Sequence, residues 1–220
     1  LALASVIAAA PPFSAQNLRE PVALDSCLGE NDCPLRVVAV ASSANESVVV
    51  LSDGSTDGIL ATTSDGRGLT WSRPIRIDGA PSGTHKSSIQ GEVTGQHAIV
   101  LWRDNRHGTF EVYYNTLETA TGVWQGERRL LKEHGPGIIT VQEVRLAGTR
   151  NGAAEYIHVL TQEGVSGSLD AEMNLRTSAV GGVDFDHPGL LHPPYDGLDG
   201  GQLAAEGESV FVAIKRAPHD

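Results

Sequence analysis

Residues 64–71 read SDGRGLTW. Asp-Gly and Gly-rich clusters between apolar runs mark chain reversals, so the stretch reads first as a turn closed by a tryptophan. The fold is decided by whether this turn recurs, and it does. The runs SVVVLSDG (47–54), AIVLWRDN (98–105), YIHVLTQEG (156–164) and SVFVAIKR (209–216) are short, rich in β-branched residues, and end in polar, turn-forming or charged residues. The first three are each followed by a second strand-like run: GILATTS (58–64), FEVYYNTLE (110–118) and EMNLRTSA (172–179). After each of these come glycines and then an aromatic. Trp71, Trp124 and Phe185 thereby take equivalent places, at intervals of 53 and 61 residues. A further apolar run precedes each unit: LRVVAVAS (35–42), SSIQGEV (87–93), ITVQEVRLAG (139–148) and QLAAEG (202–207).

The unit is strand, turn, strand, loop, strand, Gly-rich turn, strand. No segment sustains a 3.6-residue period long enough for a proper helix. Four antiparallel strands in a repeat of about fifty residues is the arithmetic of a β-propeller blade, and blades must stack round an axis to bury both faces. The expected fold is all-β: a partial β-propeller with blades at about 35–78, 87–131, 139–191 and 202–220, the last incomplete. About three and a half blades are present, and the chain reads as a piece of a longer product. A β-sandwich would explain the alternation and the turns. It would not explain an aromatic after the glycines at the same place in three successive units.

Composition agrees and narrows the function. With 220 residues, 40% of them hydrophobic, the chain can bury a sizeable core. Charged residues at 20% and aromatics at 5% fit neither a coiled coil nor an acidic disordered tail. A net charge of −11 without a long basic run disfavours nucleic acid and anionic lipid, which need clustered Lys and Arg. Residues 1–15 open with ten apolar or small residues followed by Pro-Pro, like the end of an export signal, and are too short to span a bilayer. An apolar strand or lipid-anchored tail is the other reading of that stretch. Residues 16–34 form an N-terminal extension holding Cys27 and Cys33. In an oxidising compartment these would close a small-loop disulfide; elsewhere they would be two free thiols. The chain is therefore expected to be secreted or at the cell surface.

The recurring turn carries a resemblance. SDGRGLTW is similar to the Asp-box, or BNR, repeat of sialidase-like propellers, whose consensus is Ser-x-Asp-x-Gly-x-Thr-Trp. Ser64, Gly68, Thr70 and Trp71 match, while Gly66 stands at the aspartate position and Asp65 one residue early. In the third unit Ser178, Gly182 and Phe185 match, with Val180 for the aspartate and Asp184 for the threonine; the second keeps Trp124 and a displaced Gly122. The segment IVLWRDNRHGTFEVYYN (99–115) also resembles the Trp-x-Asp-x-Arg pattern such proteins carry between second and third strands. The resemblance covers about residues 35–220 and implies a six-bladed parent, with the box as a structural staple on the face opposite the ligand pocket. Its glycines permit a tight reversal, its hydroxyl and carboxylate groups bond exposed backbone, and its aromatic packs beneath.

The resemblance implies that loops from second to third strands share one rim with the blade-to-blade connections. On that rim Asp104, Arg106 and His107 are the leading candidates for ligand binding, with Arg145 as a conceivable clamp on a first strand. A solvated loop, or an Asp–Arg pair stiffening a hairpin, explains the same residues. Sialidases use a tyrosine nucleophile paired with a glutamate, an aspartate acid/base and three arginines. LREPVALD (18–25) departs from the family's Arg-Ile-Pro segment, so none of the catalytic residues is carried over. No metal or cofactor motif stands in the chain, and DGSTDG (53–58) and DGLDGG (196–201) lack the ligand spacing of a calcium loop. The expected role is recognition or scaffolding, with a glycan or a cell-surface protein as partner. The alternative is a sialidase-type glycoside hydrolase.

Overall fold

The computed structural model describes residues 36–42, 47–52, 58–64, 70–130, 139–151, 153–165, 170–179, 181–182, 184–185, 189–196 and 198–216. Cys27, Cys33, Asp65 and Gly68 lie outside them.

Fifteen strands and no helix occupy the described residues. The first blade is β1 (Arg36–Ser42), β2 (Ser47–Ser52), β3 (Ile59–Ser64) and β4 (Ile75–Arg76), hydrogen-bonded in chain order. The second is β5 (Lys86–Val93), β6 (His97–Asp104), β7 (Glu111–Glu118) and β8 (Val123–Trp124), with β9 (Arg128–Arg129) also pairing to β7. The third is β10 (Ile139–Asn151), β11 (Ala154–Val165), β12 (Asp170–Ser178) and β13 (Gly189–Asp196). A two-stranded sheet follows, β14 (Leu198–Glu206) and β15 (Ser209–Arg216). All pairings are antiparallel.

Successive sheets stack through their first strands: β1 against β5, β5 against β10, β10 against β14. Between them lie three cores. Ile59, Ala61 and Ile77 meet Val100, Trp102, Tyr113 and Leu117 between the first and second blades. Ile99, Leu101, Val112 and Tyr114 meet Val141, Val144, Ile157 and Val159 between the second and third. Leu160, Ala171 and Met173 meet Leu203, Val212 and Ile214 at the last junction. This is why the second strands read as near-continuous apolar runs: alternate residues of β6 feed opposite cores, so both faces must be apolar. Stacked four-stranded sheets sharing an inner row of first strands define a partial β-propeller.

The three aromatics follow the third strands at similar distances along the chain. Trp71 follows the end of β3 by seven residues, Trp124 the end of β7 by six, and Phe185 the end of β12 by seven. Trp124 packs on the core shared with the first blade, and Phe185 on the core shared with the second, edge-on to Tyr114 at 5.2 Å. Each of these two rings thus leans on the preceding blade. Ser64 and Ser178 are the buried last residues of their third strands, and the Ser178 Oγ accepts the Gly182 N–H at 3.0 Å. Gly182 sits at φ +89, a conformation that strains any side chain, and a Cβ there would crowd Ile99 Cδ1 at 3.0 Å.

The blade boundaries differ from the sequence expectation in one place. The third sheet runs to Asp196 rather than 191, and the fourth begins at Leu198 rather than 202. Pro193 and Pro194 sit in β13, the sheet's outer strand, where a missing N–H costs no ladder bond. Gly200 and Gly201 belong to an irregularity in β14 rather than to a connection.

Candidate functional site

The rim where second strands end and third strands begin carries two clusters of polar side chains. The first surrounds Asp104, the last residue of β6, and the hairpin that follows. Asp104 is fully buried (0% exposed) and Arg106 nearly so (11% for its side chain). The Arg106 guanidinium donates from Nε to Asp104 Oδ1 at 2.9 Å and from Nη2 to Oδ2 at 2.5 Å. It also donates to both oxygens of Glu127, at 2.5 and 2.9 Å, and lies 3.8 Å above the Tyr113 ring. Burial opposes the charge, but two carboxylates outweigh it, so Arg106 holds its proton more firmly than a free arginine. The Trp102 Nε1–H donates to Asp104 at 3.2 Å.

Beside this pair lies a second carboxylate hub. Glu111 accepts from the Tyr113 hydroxyl at 2.5 Å, stands 2.9 Å from His107 Nδ1, and pairs with Arg129 on β9. Burial pushes the Glu111 carboxyl up, yet His107, Tyr113 and Arg129 together hold it below the ordinary glutamate range. Burial and the same carboxylate raise the Tyr113 phenol, which stays protonated. The cluster reaches the first blade through Gly79, whose N–H donates to Glu127 at 2.8 Å. Next to it Asp78 accepts the Ile59 N–H at 2.9 Å and pairs with Arg76 and Lys86. Burial alone would raise the Asp78 carboxyl; Arg76, the Ile59 N–H and Lys86 bring it below its ordinary value.

Four carboxylates (Asp78, Asp104, Glu111, Glu127) thus face four cations (Arg76, Lys86, Arg106, Arg129). The structure brings Asp104 and Arg106 together as expected, but as a fastening whose hydrogen-bonding capacity is already used. His107, 58% exposed in its side chain, and Arg76, 45% exposed, project from it. Glu127 and Arg129, which complete the cluster, carry no motif and were not singled out in the sequence.

The second cluster lies on the first strands, at the mouth of the axis. Every first strand carries a register irregularity near its start: Val37/Ala39 in β1, Ser87/Gln90 in β5, Val141/Glu143 in β10 and Leu198/Gly201 in β14. In β5 it places Ser88 at φ +51. Bulges bend a strand and re-aim its side chains, and all four lie at one end of the inner row. Just below, the Gln90 carboxamide holds β5 to β10, donating to Val144 O at 2.8 Å and accepting the Leu146 N–H at 2.9 Å.

Arg145, the fourth sequence candidate, stands at this mouth. It donates to Glu143 and, at 3.0 Å, to the Val144 carbonyl. The other Glu143 oxygen accepts the Gly201 N–H of β14 at 2.9 Å. Gly200 must lack a side chain here: its φ is +101, and a Cβ would come within 2.2 Å of Glu143 Oε2. Arg103 reaches across from β6 to the Val141 and Gln142 carbonyls and to Ser87 Oγ, with Phe110 5.0 Å from its guanidinium. Burial depresses its proton affinity; Glu143 opposes that and Arg145 adds to it. Gln142, the exposed extra residue of the β10 bulge, accepts from the Gln162 amide at 2.8 Å. Arg103, Gln142 and Gln162 thus form one hydrogen-bonded group, and Glu143, Arg145 and the Gly201 N–H of β14 form a second beside it.

Among the described residues no group of three His, Cys, Asp or Glu could hold a metal ion, and no helix is long and apolar enough to cross a membrane.

No protein-family model matches the chain, and no curated protein matches it. Among solved structures, the catalytic domain of a GH62 alpha-L-arabinofuranosidase from Coprinopsis cinerea is similar at 10% identity and a TM-score of 0.40, over 74% of this chain and 52% of that one. A thermostable family-43 glycoside hydrolase is similar at 9% identity and a TM-score of 0.43, over 74% and 54%. A GH43 endo-arabinanase from Bacillus licheniformis is similar at 9% identity and a TM-score of 0.34, over 81% and 88%. The chain spans about half the length of the first two. Likenesses this faint identify no activity.

Proposed function

We propose that this chain belongs to a secreted or cell-surface propeller that recognises carbohydrate at the mouth of its axis. The observation that carries the reading is the set of bulges at one end of all four first strands, with Arg103, Gln142, Glu143 and Arg145 gathered beside them. Carboxylate, carboxamide and guanidinium groups fixed in their planes by one another present donors and acceptors at set angles, which suits a ligand made of hydroxyl groups. The overall acidity of the chain works against phosphate-rich partners. The N-terminal apolar stretch supports export, and the aromatic corners support the Asp-box resemblance without touching the mouth.

A glycan array probed with the full 220-residue chain tests this reading. Expected is binding to at least one glycan class, lost in Glu143→Ala and Arg145→Ala and kept in variants of the exposed His107. Binding that survives both mouth substitutions would overturn it. Sialidase-type hydrolysis is the second reading, favoured by Arg145 on a first strand. Turnover of a fluorogenic sialoside, abolished by Arg145→Ala, would establish it in place of simple recognition.

A further inference from the structure

We infer that the axial mouth selects a neutral oligosaccharide, oriented by the Gln142 carboxamide, and does not clamp an acidic sugar; this rests on the carbohydrate reading above. Holding a carboxylate in a binding site takes a guanidinium with an open edge, because the strong geometry is two parallel N–H bonds to two oxygens. Both arginines at the mouth are already turned to protein acceptors through Nη1 and Nη2. Arg145 is engaged by Glu143 and by the Val144 carbonyl. Arg103 spends Nη1 on the Val141 and Gln142 carbonyls and Nη2 on Ser87 Oγ, and its Nε is buried with no partner. Glu143 adds a negative charge to the same spot, and the chain as a whole carries −11. An approaching anion would meet repulsion from the net charge of the chain at long range and, at contact, guanidiniums already turned to protein acceptors.

Gln142 offers the opposite character. As the extra residue of the bulge it is pushed out of the β10–β11 ladder, and its side chain is exposed. Its Oε1 is tied to the amide of Gln162, which is buried on the neighbouring strand. That bond fixes the plane of the carboxamide and leaves its –NH2 with two donors directed away from Gln162. An uncharged donor pair held in advance fits the hydroxyl and ring oxygens of a neutral sugar at little ordering cost. Glu143, already paired, supplies an acceptor without requiring a counter-ion from the ligand.

The test uses the full chain and a matched pair, lactose and 3′-sialyllactose, beside neutral xylo-, arabino- and cello-oligosaccharides, by calorimetry at low and high salt. The expected result is binding of at least one neutral sugar, changing less than about twofold with salt, and no gain from the sialyl group. Gln142→Ala should weaken that binding about tenfold, the loss of one or two hydrogen bonds. Gln162→Leu, which frees the carboxamide plane without touching the ligand, should weaken it by a smaller factor. Tighter, salt-sensitive binding of sialyllactose would overturn the inference while leaving the carbohydrate reading intact. Neutral binding indifferent to Gln142→Ala would overturn the role of Gln142. No binding to any of these sugars or to the glycan array would remove the carbohydrate reading itself. Thermal unfolding of each variant, expected to match the parent, separates lost binding from lost structure.

Discussion

Asp104 and Gln142 stand at the same rim of neighbouring blades, one closing a second strand and the other bulging from a first. Both are polar residues within strand-like runs of sequence. Asp104 is fully buried and bound by Arg106 and Trp102, and its partner Arg106 is in turn bound by Glu127 and covered by Tyr113. Gln142 is exposed, with one bond holding its side chain and two side-chain donors left over. The lesson is that charge density does not mark a site; spare hydrogen-bonding capacity does. A saturated network fixes structure, and a half-used one is available to a ligand.

Substitutions should separate the two regions by what they damage. The largest expected effect is that of Arg106→Ala. It leaves Asp104 buried without its counter-ion and uncovers the Tyr113 ring, and should cost about 3–5 kcal/mol in urea unfolding, with glycan specificity of the folded protein unchanged. Gln90→Ala comes next. It strips the Leu146 N–H and the Val144 carbonyl of their partner at the seam between blades, at about 2–3 kcal/mol. A loss near zero in the same denaturation experiment would mean that the inner strands stack without that bridge.

Glu111→Gln sharpens the contrast through pH. The folded-state acidity of Glu111 is depressed, so its carboxylate contributes stability that is fully present above the unfolded value of about 4.3 and is lost as pH falls through the lower folded value. The variant should lose roughly 1–2 kcal/mol at neutral pH and show a flatter fall in unfolding midpoint below about pH 4.5. An acid limb identical to the parent's would show that Glu111 is not among the groups that titrate on unfolding. Gln142→Ala is the smallest for stability, within about 0.5 kcal/mol, and the largest for ligand. If it destabilises as Arg106→Ala does, the distinction between the two regions collapses.

How much of this was legible beforehand follows from how far apart the interacting residues are. The strands and the aromatic corners could be read because their signals are local. A β-branched run, a pair of glycines and a ring within eight residues set both the turn and what covers it. Asp104 with Arg106 was equally visible, two residues apart, and its structural reading was one of the two open. Its meaning was not, because Glu127 and Gly79, which complete the cluster, come from 21 residues downstream of Arg106 and from the preceding blade connection. Gln142 carried no signal at all. It stands within an apolar run as an ordinary polar residue, and only the register of β10 against β11 makes it the unpaired one.

Sequence alone determined that this chain is a succession of antiparallel sheets of a partial propeller, because period, turn chemistry and burial on both faces act over a few neighbouring residues. Tertiary structure decided which polar groups are occupied and which remain to meet a ligand. Pairing between charges depends on positions in space that the chain reaches from different blades, and no local pattern records them.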